Sequence, residues 1–246
     1  MKENQKDLIF GIRAIIESIN SGKEIDKLFI QKGLHNDLMK ELLKVARDHH
    51  VPMSQVPIEK LNRLTRKNHQ GAIAFISAIR YASLDNIIDH VYQEGREPFF
   101  IILDRVTDVR NFGAIARTAE CAGLDGIIIP SRGSAAINSD AMKTSAGALN
   151  YIPVCRVDNL KNTITFLKES GIQIMACTEK TDQSIYETNF NQPVAVLLGS
   201  EEDGISPEYL KMTDMRGRIP MNGKIDSLNV SVSAAIAIYE AIRQRG

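Results

Sequence analysis

The stretch Val194-Ala195-Val196-Leu197-Leu198-Gly199-Ser200-Glu201-Glu202-Asp203-Gly204-Ile205-Ser206-Pro207-Glu208 decides how the second half of the chain is read. Five apolar residues bounded by a glycine turn have the length and composition of a strand buried on both faces. Such strands belong to parallel sheets covered by helices. In those sheets ligands bind beyond the carboxyl ends of the strands, so chemistry is expected in the loop from Gly199. The glycines nearly match a phosphate-binding loop, but Ile205 stands where its lysine belongs. Glu201, Glu202 and Asp203 would repel a phosphate, which disfavours nucleoside triphosphates and nicotinamide dinucleotides. A cofactor with no phosphate and a cationic centre suits these acids, and S-adenosylmethionine has both properties. A plain glycine turn with a helix start at Ser206-Pro207 accounts for the end of the segment but not for the acids.

Upstream the same rhythm recurs. Apolar runs at 99–103, 126–129, 152–157 and 172–177 alternate with amphipathic segments, which predicts an α/β domain with a mostly parallel sheet over 98–246. After the first run comes Asp104 to Glu120, where Ile115, Ala119 and Ala122 make a helical apolar stripe and Arg117 projects away from it. A solvated arginine and an Asn111 helix cap are the plain alternative there. Downstream, Ile219-Pro220-Met221 and Ser227-Leu228-Asn229-Val230 lead into a last helix whose predicted apolar face is Val232, Ala235, Ile236 and Tyr239. Ser227 and Asn229 then stand at its N-terminal end, where capping accounts for one of the two.

Residues 1–80 read as a smaller α/β unit, with a helix over 8–19, a strand over 27–31, a helix over 37–49 and a strand over 72–76. Arg63, Arg66 and Lys67 precede His69-Gln70-Gly71 and that last strand. Residues 81–97 hold four acids and one arginine, and read as a helical linker ending at a domain boundary. The chain as a whole balances 30 basic against 30 acidic side chains, but residues 1–80 carry 14 against 9 and residues 98–246 carry 15 against 17. That split suits a front segment that meets a polyanion, with an ordinary solvated surface as the alternative. The apolar runs are too short for a membrane span, and charges occupy the N-terminal stretch where a signal peptide needs apolar residues, so a cytoplasmic protein with no membrane partner is expected. Cys121, Cys155 and Cys177 are odd in number and widely spaced, which predicts buried free thiols, no disulfide framework and no metal site.

Taken together, Asn111 with Arg117, Gly199-Ser200-Glu201 with Gly204, and Ile219-Pro220-Met221 with Ser227-Leu228-Asn229-Val230 resemble the three motifs of the SpoU/TrmH (SPOUT) family of RNA 2′-O-ribose methyltransferases. Phe10-Gly11-Ile12-Arg13-Ala14-Ile15 and His69-Gln70-Gly71 look like the ends of that family's L30e-like substrate domain, so the resemblance covers nearly the whole chain. Arg13, Val109 and Glu202-Asp203 depart from the usual residues of the pattern. The resemblance implies a knotted C-terminal domain with a deep trefoil, a homodimer, and S-adenosylmethionine held at Leu198, Gly199, Ile219, Met221 and Leu228, with Thr178 as an addition. It implies catalytic roles for Asn111, Arg117, Glu201, Ser227 and Asn229. A guanidinium is a poor proton acceptor, so Arg117 reads better as a phosphate clamp that also stabilises alkoxide charge. The two-domain form implies 2′-O-methylation of a guanosine in large-subunit 23S rRNA. A tRNA ribose methyltransferase and a non-catalytic rRNA-binding assembly factor are the alternatives.

Overall fold

The computed structural model describes residues 8–225 and 227–246. The chain divides into two compact units, one of residues 1–80 with Ala136–Ser139, the other of Tyr81–Ala135 with Asp140–Gly246. In chain order the first holds β1 (Leu8–Phe10), α1 (Ile12–Asn20), β2 (Ile25–Gln31), α2 (Asp37–Asp48), β3 (Met53–Val56), α3 (Ile58–Leu64) and β4 (Ala72–Ile76). Its sheet order is β1-β4-β2-β3, with only the β2–β3 pair parallel. The helix expected over 8–19 is in fact a strand and a shorter helix. Gly11, at φ 90°, turns the chain between them, because Leu8–Phe10 is claimed by antiparallel pairing with β4. The short β3, half of it polar, carries no strand signal of its own and forms by pairing with β2.

The second unit adds α4 (Leu84–Gln93), β5 (Phe99–Leu103), α5 (Val109–Cys121), β6 (Gly126–Pro130), α6 (Ser139–Thr144), β7 (Val154–Val157), α7 (Leu160–Glu169), β8 (Gln173–Cys177), β9 (Val194–Leu198), α8 (Pro207–Leu210), β10 (Met215–Gly217) and α9 (Val230–Arg245). Six strands in the order β10-β8-β9-β5-β6-β7 are all parallel. Central β5 and β9 are buried at every residue, as continuous apolar runs require. Their register sets Leu103 beside Leu198, so the loops after these strands start at the same level. One face of the sheet packs Phe100, Ile102 and Leu197 against α4 and α7. The segment read as a linker therefore buries Leu84, Ile88 and Val91 as α4 of this unit.

Two readings of the sequence need correction. Helix α9 turns Val230, Ala234, Ala237, Ile238 and Ala241 inward, whereas Val232 and Tyr239 of the predicted face are 46% and 52% exposed. From Val230 to Tyr239 the helix is apolar at all but Ser231 and Ser233, so periodicity offers two faces, and the alanine-rich one permits close approach to α5. Buried Glu240 on that helix is held by Arg243, at 2.8 and 2.9 Å, and by Gln244 at 2.7 Å. Of the three thiols expected to be buried, Cys121 is exposed and Cys177 is half-buried. Cys155 is buried, and burial, with Asp85 adding to it, pushes its thiol up to about 12.

Candidate active site

The site begins where β9 stops. A Cβ built on Gly199 would lie 2.0 Å from the Gly204 carbonyl carbon, so only glycine lets the loop fold back on itself there. The fold-back is closed by paired backbone bonds between Ser200 and Gly204, at 3.1 and 3.0 Å, and Gly204 takes φ 68°. Asp203 N donates to Ser200 Oγ at 3.1 Å, which shapes the turn from within.

The adjoining end of β5 fastens this loop. Asp104 is 2% exposed and accepts from Ser206 N at 2.7 Å. Arg105, at φ 60°, donates to Asp203 Oδ2 at 2.8 Å and to the Gly204 carbonyl at 3.0 Å. Both residues escaped the sequence reading. Their partners lie about a hundred positions away, and no local pattern announces such a contact.

The loop forms one wall of a cavity of about 430 Å³, a size suited to a small cofactor. Leu198, Gly199, Ile219, Met221 and Leu228 all line it, together with Thr178, Glu201 and Ser227. Residues from three separate segments, near 178, 199 and 219–228, are thus brought to one place. Thr178 N donates to Gly217 O at 3.0 Å, which ties the end of β8 to β10. Cys177 also lines the cavity, and burial followed by the Glu179 charge pushes its thiol up to about 12.

At the rim Asn229 joins three elements. Its side-chain nitrogen donates to Glu201 Oε1 at 2.7 Å and to Asn111 Oδ1 at 3.1 Å, while its oxygen caps α9 by accepting from Ser231 N at 3.0 Å. Asn111 is free to take part because Asp108, not Asn111, caps α5, accepting from Arg110 N at 2.6 Å. Four of the five predicted catalytic residues therefore cluster: Asn111, Glu201 and Asn229 through hydrogen bonds, Ser227 on the cavity wall. Arg117 is not among them. It lies about 9 Å along α5 from Asn111 and about 120° around the helix, exposed, and its side chain makes no hydrogen bond or ion pair to any described residue. Among the described residues no cluster of His, Cys, Asp and Glu is arranged to hold a metal ion, and no helix is long and apolar enough to cross a membrane.

Comparison with known proteins places the chain in a family. The SpoU rRNA Methylase family matches residues 98–239, and an RNA 2′-O ribose methyltransferase substrate-binding family matches residues 8–82. The Bacillus subtilis protein YacO, named for the TrmH tRNA/rRNA methyltransferases, is 33% identical over 241 residues, covering 98% of this chain and 97% of its own. A relative of the same family name in Staphylococcus saprophyticus is 36% identical over 238 residues, covering 97% and 96%. The SpoU methyltransferase AviRb of Streptomyces viridochromogenes, solved in complex with the cofactor AdoMet, superposes with a TM-score of 0.61 at 26% identity, over 97% of this chain and 90% of that one. The TrmH/SpoU tRNA modifying enzyme of A. aeolicus, at 28% identity and a TM-score of 0.56, covers 66% of this chain and 84% of its own. With its motif residues gathered at the ends of parallel strands and both family matches spanning its two units, the chain belongs to the SpoU/TrmH family of RNA methyltransferases.

Proposed function

We propose that this protein methylates the 2′-hydroxyl of a guanosine ribose in large-subunit 23S rRNA, with S-adenosylmethionine as the methyl donor. One observation carries the reading: the cavity lined by Leu198, Gly199, Ile219, Met221 and Leu228 opens beside the hydrogen-bonded Asn111, Glu201 and Asn229. Its acidic loop suits a cationic ligand without phosphate, and its size suits a bent nucleoside. When bound, S-adenosylmethionine supplies the methyl group and its positive sulfur.

The residues of the chain supply position and charge. Leu198, Gly199, Ile219, Met221 and Leu228 hold the cofactor, and Thr178 adds to that wall. Glu201, itself bound by Asn229, orders the polar rim on which Asn111 and Ser227 meet the ribose. Arg117 remains the phosphate clamp: exposed and unengaged among the described residues, it is available to RNA. Its fork holds a phosphate beside the reacting ribose, and its charge stabilises the alkoxide as it develops.

Residues 1–80 serve as the substrate-binding domain, supported by their excess of basic side chains. The outward stripe of Val232, Ala235, Ile236 and Tyr239 on α9 supports a homodimer, since a second copy would cover it. A trefoil knot is what the family resemblance implies for the second unit, with its six parallel strands. A cytoplasmic setting goes with an RNA substrate.

Ribose methylation mapped across total RNA from cells with and without the gene tests the reading. Loss of a single 2′-O-methylguanosine in 23S rRNA is expected. A mark lost from tRNA instead would transfer the activity to the tRNA alternative, and no lost mark would favour an assembly factor.

A further inference from the structure

The sheet of the first unit is covered unequally on its two faces. One face is buried under α1 and α2, where Ile12, Ile15, Leu28, Leu42 and Ala74 share a core. The other carries the seven-residue α3, whose Leu61 and Leu64 cluster with Phe29, Val56 and Ile73. Phe10 and Phe75 belong to that second cluster but stay half-buried. Strand pairing sets these two rings close together. Phe10 lies opposite Ile73 and Leu8 opposite Phe75, so the two are diagonal neighbours on one face, about 7 to 8 Å apart. Phe75 also meets Phe29 edge to face, with ring centres 5.7 Å apart.

Three lysines stand over this aromatic surface. Lys60 Nζ lies 4.5 Å and Lys27 Nζ 5.3 Å from the centre of the Phe29 ring, and Lys67 Nζ lies 5.3 Å from that of Phe10. All three are exposed. Asp26 and Glu59 are their chain neighbours, yet none of the lysines forms an ion pair with a described residue. Between Lys60 and Lys67 the chain adds exposed Arg63 and Arg66 and no acid. A surface cation above a ring is weakly held, so it can leave for a phosphate. Rings left open on a sheet take the flat face of an unpaired base, and cations around them take the phosphates that link such bases. An apolar partner would instead have to bury unpaired charges. We propose that this sheet face binds a single-stranded stretch of RNA, with bases stacked on Phe10 and Phe75 and phosphates on Lys27, Lys60 and Lys67. The inference rests on the reading of residues 1–80 as the substrate-binding unit, and names the surface used and the form of RNA it takes.

Two short RNA strands of equal length and charge separate stacking from phosphate binding: one of alternating cytidine and adenosine, the other with abasic ribose at its central positions. The full-length protein should bind the base-bearing strand more tightly by on the order of tenfold. Phe10→Leu and Phe75→Leu keep apolar bulk but remove the flat ring, and each should shrink that ratio by on the order of threefold without altering the salt dependence. Lys60→Gln should do the reverse, lowering the log–log salt slope for both strands by about 0.7 and leaving the ratio in place. Urea unfolding followed by circular dichroism checks that each variant is folded. If neither ring variant folds, ultraviolet cross-linking of the unsubstituted protein decides: a base attached at Phe10 or Phe75 supports the site, and attachment only at other residues overturns it. Equal binding of the two strands, or a ratio unmoved in both folded ring variants, overturns the stacking face, while a slope that still falls in Lys60→Gln keeps RNA binding by this unit. Binding of neither strand overturns both.

Discussion

The two units of this molecule differ in how their polar groups are used. In the second unit the polar groups of the rim bind one another: Asn229 links Glu201, Asn111 and the first turn of α9, and Asp104 with Arg105 fastens the loop beneath. In the first unit Asn36, Asn62 and Gln70 each commit a side-chain oxygen to the fold, at the start of α2, on His69 and at the start of α1. One arrangement joins distant segments and holds a geometry in place, as a site for chemistry needs; the other fixes helix starts and a histidine within its own unit. Arg117 stands outside both patterns, a cation that the protein leaves unengaged among its described residues.

The largest effect is expected at the loop. Gly199→Val puts a side chain where the Gly204 backbone already lies and should abolish S-adenosylmethionine binding in calorimetry. The cause is self-closure of the loop, whose backbone already fills the place of a side chain. Unchanged affinity in a folded variant would remove the cavity from the cofactor argument.

Arg117 comes next. Arg117→Ala should slow single-turnover methylation by on the order of a hundred- to a thousandfold with cofactor affinity unchanged. Arg117→Lys keeps the charge but loses the planar fork, and should also be badly impaired. A near-normal rate with saturating RNA and cofactor would reduce Arg117 to a surface residue.

On the front unit, exposed Arg66 and Lys67 can be neutralised singly to glutamine. Where the side chain does neutralise an RNA phosphate, its replacement should reduce the log–log salt slope of RNA affinity by about 0.7 to 0.9. An unaltered slope would show that these side chains meet no phosphate.

Asn229→Ala removes a helix cap as well as a bridge and should cost about 1 kcal/mol in urea unfolding. Asn229→Asp keeps the cap while breaking the bridge, so equal losses in both would mean that the bridge, not the cap, sets the stability.

The smallest effect concerns thiols. With Cys155 and Cys177 pushed up to about 12, their thiolates become abundant only as pH rises towards that value. An alkylating reagent at pH 8 should therefore modify exposed Cys121 alone, as mass spectrometry would reveal. Rapid labelling of Cys177 would contradict the raised thiol expected at the cavity wall.

Much of the architecture was legible in the residues themselves. Runs such as Phe99–Leu103 and Val194–Leu198 announce buried parallel strands because a strand covered on both faces must be apolar throughout. The motif residues were legible as well, since a glycine that must fold back and a cap that must accept a hydrogen bond each demand a particular residue type. Decisions with more than one local solution were left to tertiary structure. Leu8–Phe10 satisfies a helical period but pairs as a strand, α9 has two apolar faces and buries the smaller one, and residues 81–97 join the second core as α4. The Asp104 and Arg105 clamp and the direction of the front-unit amides belong with them, because a hydrogen bond depends on which atoms the finished fold brings within about 3 Å of each other. Local sequence sets what each segment can do, and packing between distant segments selects among those options.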